Sequence, residues 1–369
     1  MSLVASIQLA LIGTTIAALL LLFSWWKNKK FTFHRLVLLT LFFTFDLILF
    51  GAFTRLTDSG LGCPDWPGCY GVSNPIVALG DIRAAEAVMP TGPVTLSKAW
   101  IEMLHRYFAM AVGLLLVVMV IWSWIQRRVL GSKIFLWSFI AFLMVCVQGA
   151  FGAWTVTLKL QPLIVTTHLI LGVTFLSTLT YLSSLSGRLE SSLFSNQNIP
   201  TYAMSRQWVW AGIAALGVQI FLGAWVSTNY AVLACDDFPL CHGQLFPAMD
   251  FKMGFGLWRE LGKAANGQIL TIDALRAIHW THRLGALFVL SILFALSYKT
   301  IKTAMTIGHP ILRRWGFGLF ALCLLQVSTG MSNIVLDWPL VAALLHTGGA
   351  AAMMIVLIRL LTLRKEAFV

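Results

Sequence analysis

Charge is what these 369 residues have least of. Asp, Glu, Lys and Arg make up 11% of the chain against a hydrophobic share of 59%, and mean hydropathy is +0.83. Soluble domains carry roughly a quarter charged residues, so an ordinary water-soluble domain is excluded. A basic patch is missing too. The 26 Lys and Arg outnumber the 14 Asp and Glu, but they are dispersed, and nucleic acid is not expected as a partner. The long apolar runs lack the alternation of a membrane barrel. Cysteines number six, and no cysteine or carboxylate cluster surrounds the histidine pairs, which argues against zinc with its usual three or four ligands. The first apolar run, residues 3–26, has neither a basic stretch before it nor a clear cleavage site. It reads as a retained helix rather than a signal peptide.

What is present is apolar length. About twenty apolar residues cross a bilayer as a helix, and in lipid only helices or closed barrels satisfy their own backbone. Nine runs qualify, at residues 3–26, 36–54, 99–125, 134–156, 163–185, 208–226, 274–298, 316–335 and 340–361. The expected fold class is all-α, a polytopic transmembrane helical bundle.

The chain also repeats itself. His105-Arg106 returns as His282-Arg283 after 177 residues, while His168 and Gln148 return as His346 and Gln326 after 178. Cys63, Cys69 and Gly71 recur as Cys235, Cys241 and Gly243, each after 172 residues. Landmarks in one order at nearly one offset indicate an internal duplication. The expected architecture is one extra N-terminal helix (residues 1–32), a four-helix repeat (33–187), a linker (188–205) and a second four-helix repeat (206–369). Each repeat has an even number of crossings, so a pseudo-twofold along the membrane normal should relate them.

Basic residues orient the bundle. Residues 27–35, 127–133, 188–206, 299–314 and the tail from 359 hold 16 of the 26 Lys and Arg but only two acids, Glu190 and Glu366. That side is expected to be cytoplasmic. Both cysteine loops then lie on the extracytoplasmic side, where disulfides persist. Cys63–Cys69 and Cys235–Cys241 each suit a small closed loop. A structural staple is the first reading and a redox-active pair the second.

His105, His168, His282 and His346 fall one to two turns inside the outer helix ends. Ionisable groups inside a membrane are costly and usually functional. An apolar slot with one or two axial ligands suits heme iron; an interhelical hydrogen bond is the plainer reading, made weaker by fourfold occurrence at matched depth. His34 and His309 sit at the cytoplasmic edge and read as interfacial. Arg106 and Arg283 either clamp heme propionates or snorkel to the headgroups. Glu102 stands three residues before His105, where the second half has His279. A carboxylate there can move a proton or stabilise developing positive charge; the alternative is an acid favouring a helix N-terminus.

The run Gly51-Ala52-Phe53-Thr54-Arg55-Leu56-Thr57-Asp58-Ser59-Gly60-Leu61-Gly62-Cys63-Pro64-Asp65-Trp66-Pro67, with the Glu-x-x-His-Arg start of the next helix and the duplicated halves, resembles the heme A synthase family over about residues 36–361. The resemblance implies oxidation of a methyl group on heme O to the formyl group of heme A, for terminal oxidase assembly. It implies heme O as substrate at His105 and His168, and heme b as resident cofactor at His282 and His346. Arg106, Arg283 and Arg55 become propionate candidates and Glu102 the catalytic candidate. It further implies a bacterial cytoplasmic (inner) membrane location, an unidentified electron acceptor, a heme O synthase and oxidase assembly factors as partners, and membrane lipid around the bundle. A homo-oligomer is compatible with it. The first helix is additional to that pattern. Two other classes stay open: a diheme b-type electron carrier linked to quinol, using the same four histidines, and a heme transporter without turnover.

Overall fold

A computed structural model describes residues 3–27, 31–194 and 206–363. Lys29, Lys30, residues 195–205 of the expected linker and the tail from residue 364 lie outside these, and with them part of the charge asymmetry. The helices are α1 (Leu3–Lys27), α2 (Phe33–Leu56), α3 (Leu79–Val88), α4 (Leu96–Ile125), α5 (Arg127–Leu130), α6 (Ser132–Thr157), α7 (Pro162–Phe194), α8 (Arg206–Thr228), α9 (Phe251–Gly254), α10 (Ile272–Thr306), α11 (Pro310–Val335) and α12 (Leu340–Thr362). Among the described residues nine of them are long and apolar enough to cross a membrane. No strand forms there, and the only β pairing is isolated bridges. This is a multi-pass, all-helical membrane protein.

Most helices outrun their apolar segments, because capping rather than hydropathy fixes their ends. Thr95 starts α4 by accepting the amide of Lys98 at 3.3 Å, and Thr271 starts α10 by accepting that of Ala274 at 3.3 Å. His309, expected only to sit at an interface, accepts the amide of Leu312 at 3.1 Å and caps α11, with Pro310 in its first turn. Each such bond satisfies a donor that has no partner within the helix. His34 meets the hydroxyl of Ser186 at 2.9 Å. The polar stretch before α4 contains α3. Ten residues with the single buried Ile82 are too short and too polar to register as a span.

Several helices close with non-glycine residues at positive φ. Asp58 (51°) follows α2 and Tyr230 (54°) follows α8; Lys159 and Leu160 (50° and 58°) follow α6, and Asp337 and Trp338 (52° and 62°) follow α11. The accompanying bonds run five residues back, from Ser59 to Thr54 at 2.9 Å and from Ala231 to Val226 at 3.0 Å. These are left-handed C-terminal caps. Their partners in the two parts of the chain stand at the offsets of the cysteines and histidines.

Contacts group the chain into two compact units, residues 1–160 with 174–194, and residues 161–173 with 195–369. In the first, α1, α2 and α6 pack on α4, and Leu36, Val37, Leu115, Leu116, Met119 and Leu179 form a fully buried core. In the second, α8, α10, α11 and α12 close a four-membered ring of neighbours, each touching two others. The first part of α7 joins this unit, where Thr166 meets Thr228 of α8 at 3.2 Å.

Candidate functional site

The second unit brings two of the expected histidines together. His282 lies ten residues into α10 and His346 six residues into α12, roughly 15 and 9 Å along the axes at 1.5 Å per residue. Their ring centroids are 6.4 Å apart, with the planes inclined at 76°. Metal–imidazole bonds are roughly 2 Å long, so two imidazoles that share one metal atom through their near nitrogens stand about this far apart. The pair fits a metal with two axial ligands. No group of three or more His, Cys, Asp or Glu placed to hold a metal ion occurs among the described residues.

Neighbouring side chains hold both rings. Gln219 on α8 places its amide nitrogen 3.0 Å from Nδ1 of His282 and 2.9 Å from the His282 carbonyl oxygen. Thr329 on α11 lies 2.9 Å from Nδ1 of His346, and the Gln326 amide donates to the His346 carbonyl at 2.9 Å. Glycines seat the rings: a Cβ built on Gly223 or Gly330 would fall 3.0 Å from Cε1 of His282 or 3.3 Å from that of His346. Sequence reasoning missed Gln219, Thr329 and these glycines. Gly223 was within its reach, since it stands 172 residues after Gly51, the offset of the cysteines.

His105 lies nine residues into α4. Its ring meets that of Phe50 edge-on with centroids 5.8 Å apart, and a Cβ on Gly51 would sit 3.2 Å from its Cε1. His168 lies six residues into α7, in the second unit.

Glu102 is buried on α4. One carboxylate oxygen accepts the backbone N–H of Cys63 at 2.8 Å, and the other pairs with Arg106 one turn along. The guanidinium of Arg106 also donates to the carbonyls of Asp65 at 3.0 Å and Pro67 at 3.1 Å. In the second unit Arg283 donates to His279 at 3.3 Å, to the Leu240 carbonyl at 2.7 Å and to the Cys235 carbonyl at 3.0 Å. Each arginine therefore pins a cysteine loop to its helix. Arg55, at the end of α2, forms an ion pair with Asp58 at 3.1 Å.

The loops share one construction. Cys63 is bonded to Cys69 and Cys235 to Cys241, all four buried. Asp65 accepts the amides of Tyr70 at 2.6 Å and Gly71 at 2.7 Å, and Asp237 those of His242 at 2.7 Å and Gly243 at 2.9 Å. The Gly243 and His242 amides hold the Asp237 carboxyl below the usual carboxylate range. Gly71 and Gly243 take φ of 75° and 73°, a conformation that glycine adopts without penalty.

Nine membrane-length helices among the described residues, a part-buried imidazole pair and two disulfide-tied loops define a multi-pass membrane protein whose paired imidazoles stand at a spacing that suits one shared metal atom. Residues 34–358 match the COX15-CtaA family, described as cytochrome oxidase assembly proteins. The chain belongs to that family. It is 38% identical to a heme A synthase of Shewanella oneidensis over 325 residues, which span 88% of this chain and 94% of that protein. A heme A synthase of Allorhizobium ampelinum is 28% identical over 333 residues, covering 85% of each chain. One of Halalkalibacterium halodurans is 27% identical over 239 residues, 64% of this chain and 72% of its own.

Proposed function

We propose that this protein oxidises a methyl group of heme O to the formyl group of heme A, supplying heme A for terminal oxidases. The observation that carries the reading is the His282–His346 pair at 6.4 Å, in a chain whose relatives bear the name heme A synthase. His282 and His346 hold a resident heme b, which when bound supplies a one-electron couple inside the membrane. His105 in the first unit and His168 in the second are each a candidate ligand for the substrate heme iron. The two four-helix halves then have different tasks on a shared plan.

Glu102 is the acid residue for the reacting methyl group. Oxidising a methyl on a conjugated ring leaves positive character at its carbon. A carboxylate one turn from an iron ligand lies on the same helix face, and in a low-dielectric site it stabilises that charge or takes a proton. Arg106 and Arg283 remain propionate candidates beside Arg55. Because Arg106 and Arg283 already hold loop carbonyls, a propionate on either would share its guanidinium with a cysteine loop and tie loop order to heme binding.

The loops face the extracytoplasmic side of a bacterial cytoplasmic membrane. A heme O synthase upstream, oxidase assembly factors downstream and an electron acceptor complete the set of partners. Expression in a host that makes heme O but no heme A, followed by mass analysis of extracted hemes, tests the function. A mass matching conversion of methyl to formyl supports it. Two stable hemes b with no new pigment would replace it with the diheme carrier.

A further inference from the structure

Two polar side chains, neither of them a histidine, touch the ring nitrogens that a metal bound at Nε2 leaves available. The Thr329 hydroxyl donates to the Leu325 carbonyl at 2.7 Å, which leaves its lone pair for the Nδ1–H of His346 at 2.9 Å. With Nδ1 protonated, Nε2 of His346 carries the free electron pair a metal needs. Gln219 acts differently. Its amide nitrogen donates both to the His282 carbonyl and to Nδ1, so Nδ1 accepts and the ring proton sits on Nε2. Ligation through Nε2 would move that proton to Nδ1. The acceptor at hand is the oxygen of the same carboxamide, which is buried with no hydrogen-bond partner among the described residues; to reach Nδ1 the amide must turn over and give up its bond to the His282 carbonyl. Space for this carboxamide depends on Gly285, where a Cβ would collide with the Gln219 oxygen.

None of these positions is duplicated. By the 172-residue offset that relates Gly51 to Gly223, Gln219 corresponds to Leu47. By the 178-residue offset that relates Gln148 to Gln326, Thr329 corresponds to Phe151, and by the 177-residue offset of the His-Arg pair Gly285 corresponds to Phe108. Whatever else bonds His105 and His168, leucine and phenylalanine at these positions cannot hydrogen-bond a ring nitrogen. Groups that bond a ligating imidazole through its other nitrogen fix its tautomer and orientation and raise its basicity.

We propose that Gln219 and Thr329 are positioning residues that make the second half a retaining site, fixing His282 and His346 so that the iron between them is held tightly and favours its ferric state. This rests on the reading that His282 and His346 ligate a heme.

The test uses purified full-length protein carrying its heme, with potential, low-spin EPR signal and heme retention on dialysis as readouts. Thr329→Val and Gln219→Leu should each release heme about tenfold faster than the unsubstituted protein, the lower end of what an outer-shell partner contributes. A tenfold shift in the ferric-to-ferrous preference would raise the one-electron midpoint potential by about 59 mV. Thr329→Ser, which keeps the hydroxyl, should restore both values; Thr329→Ala replaces the valine variant if that protein does not accumulate. Potential, signal and retention unchanged in both Thr329→Val and Gln219→Leu would overturn the inference while leaving the heme reading intact. A protein whose heme does not depend on His282 and His346 would overturn both.

Discussion

The Glu102 carboxylate takes the backbone N–H of Cys63 at 2.8 Å with one oxygen while its other oxygen pairs with Arg106. In the second unit His279 occupies the equivalent position and accepts from Arg283 at 3.3 Å. Both residues steady the arginine that holds a cysteine loop, so loop anchoring alone does not require the negative charge. Glu102→Gln separates the two roles, since an amide oxygen still accepts the Cys63 N–H. We expect a normal protein level, an intact resident heme and bound heme O, with heme A formation lowered about 10²-fold, the usual scale for losing one electrostatic or acid–base group. Near-normal heme A yield at matched protein level would leave Glu102 with the loop alone.

The disulfides can be read directly by mass. Peptide mapping without reductant should recover Cys63 joined to Cys69 and Cys235 joined to Cys241. Closing so short a loop contributes about 2 kcal/mol by restricting the unfolded chain. The Cys63→Ala, Cys69→Ala double variant should therefore unfold at lower temperature in detergent, with faster proteolysis of the loop around Asp65. Free thiols at all four positions in active protein would contradict the pairing.

Lipid makes the fold legible. A bilayer demands long unbroken apolar runs, so nine spans stand out from hydropathy alone, and their cores coincide with the membrane-length helices. What hydropathy does not show is decided by local bonds, such as the His309 cap of α11 or the ten-residue α3 with its one buried Ile82. The site divides the same way. His282 and His346 are visible because they repeat, and the structure brings them together. Gln219 and Thr329 are invisible for the opposite reason. They matter only in one half, and a search for recurring residues passes over whatever the halves do not share.

The two halves should separate in the spectrum. On the proposed assignment, His282→Ala or His346→Ala removes an axial ligand that no neighbour replaces, so the low-spin heme b signal should vanish. His105→Ala or His168→Ala should keep that signal and abolish heme O oxidation. The reverse pattern would exchange the assignments of the halves.

The glycine seats test the same division without touching a ligand. A Cβ on Gly223 would lie 3.0 Å from Cε1 of His282, and a Cβ on Gly51 would lie 3.2 Å from Cε1 of His105. Both fall inside ordinary van der Waals contact, and forcing one methyl into a packed interior typically costs about 1–3 kcal/mol. In each case the ring must tilt or the helices must part by a few tenths of an ångström, and an iron ligand tolerates neither well. Gly223→Ala should therefore shift the EPR signal and weaken retention of the resident heme, at a protein level close to normal. Gly51→Ala should leave that heme untouched and lower heme A formation about tenfold, the factor that 1.4 kcal/mol represents. A Gly51→Ala protein with altered resident heme and full turnover would show that the ring of His105 belongs to the resident site, and the division of labour would have to be redrawn from that residue outward.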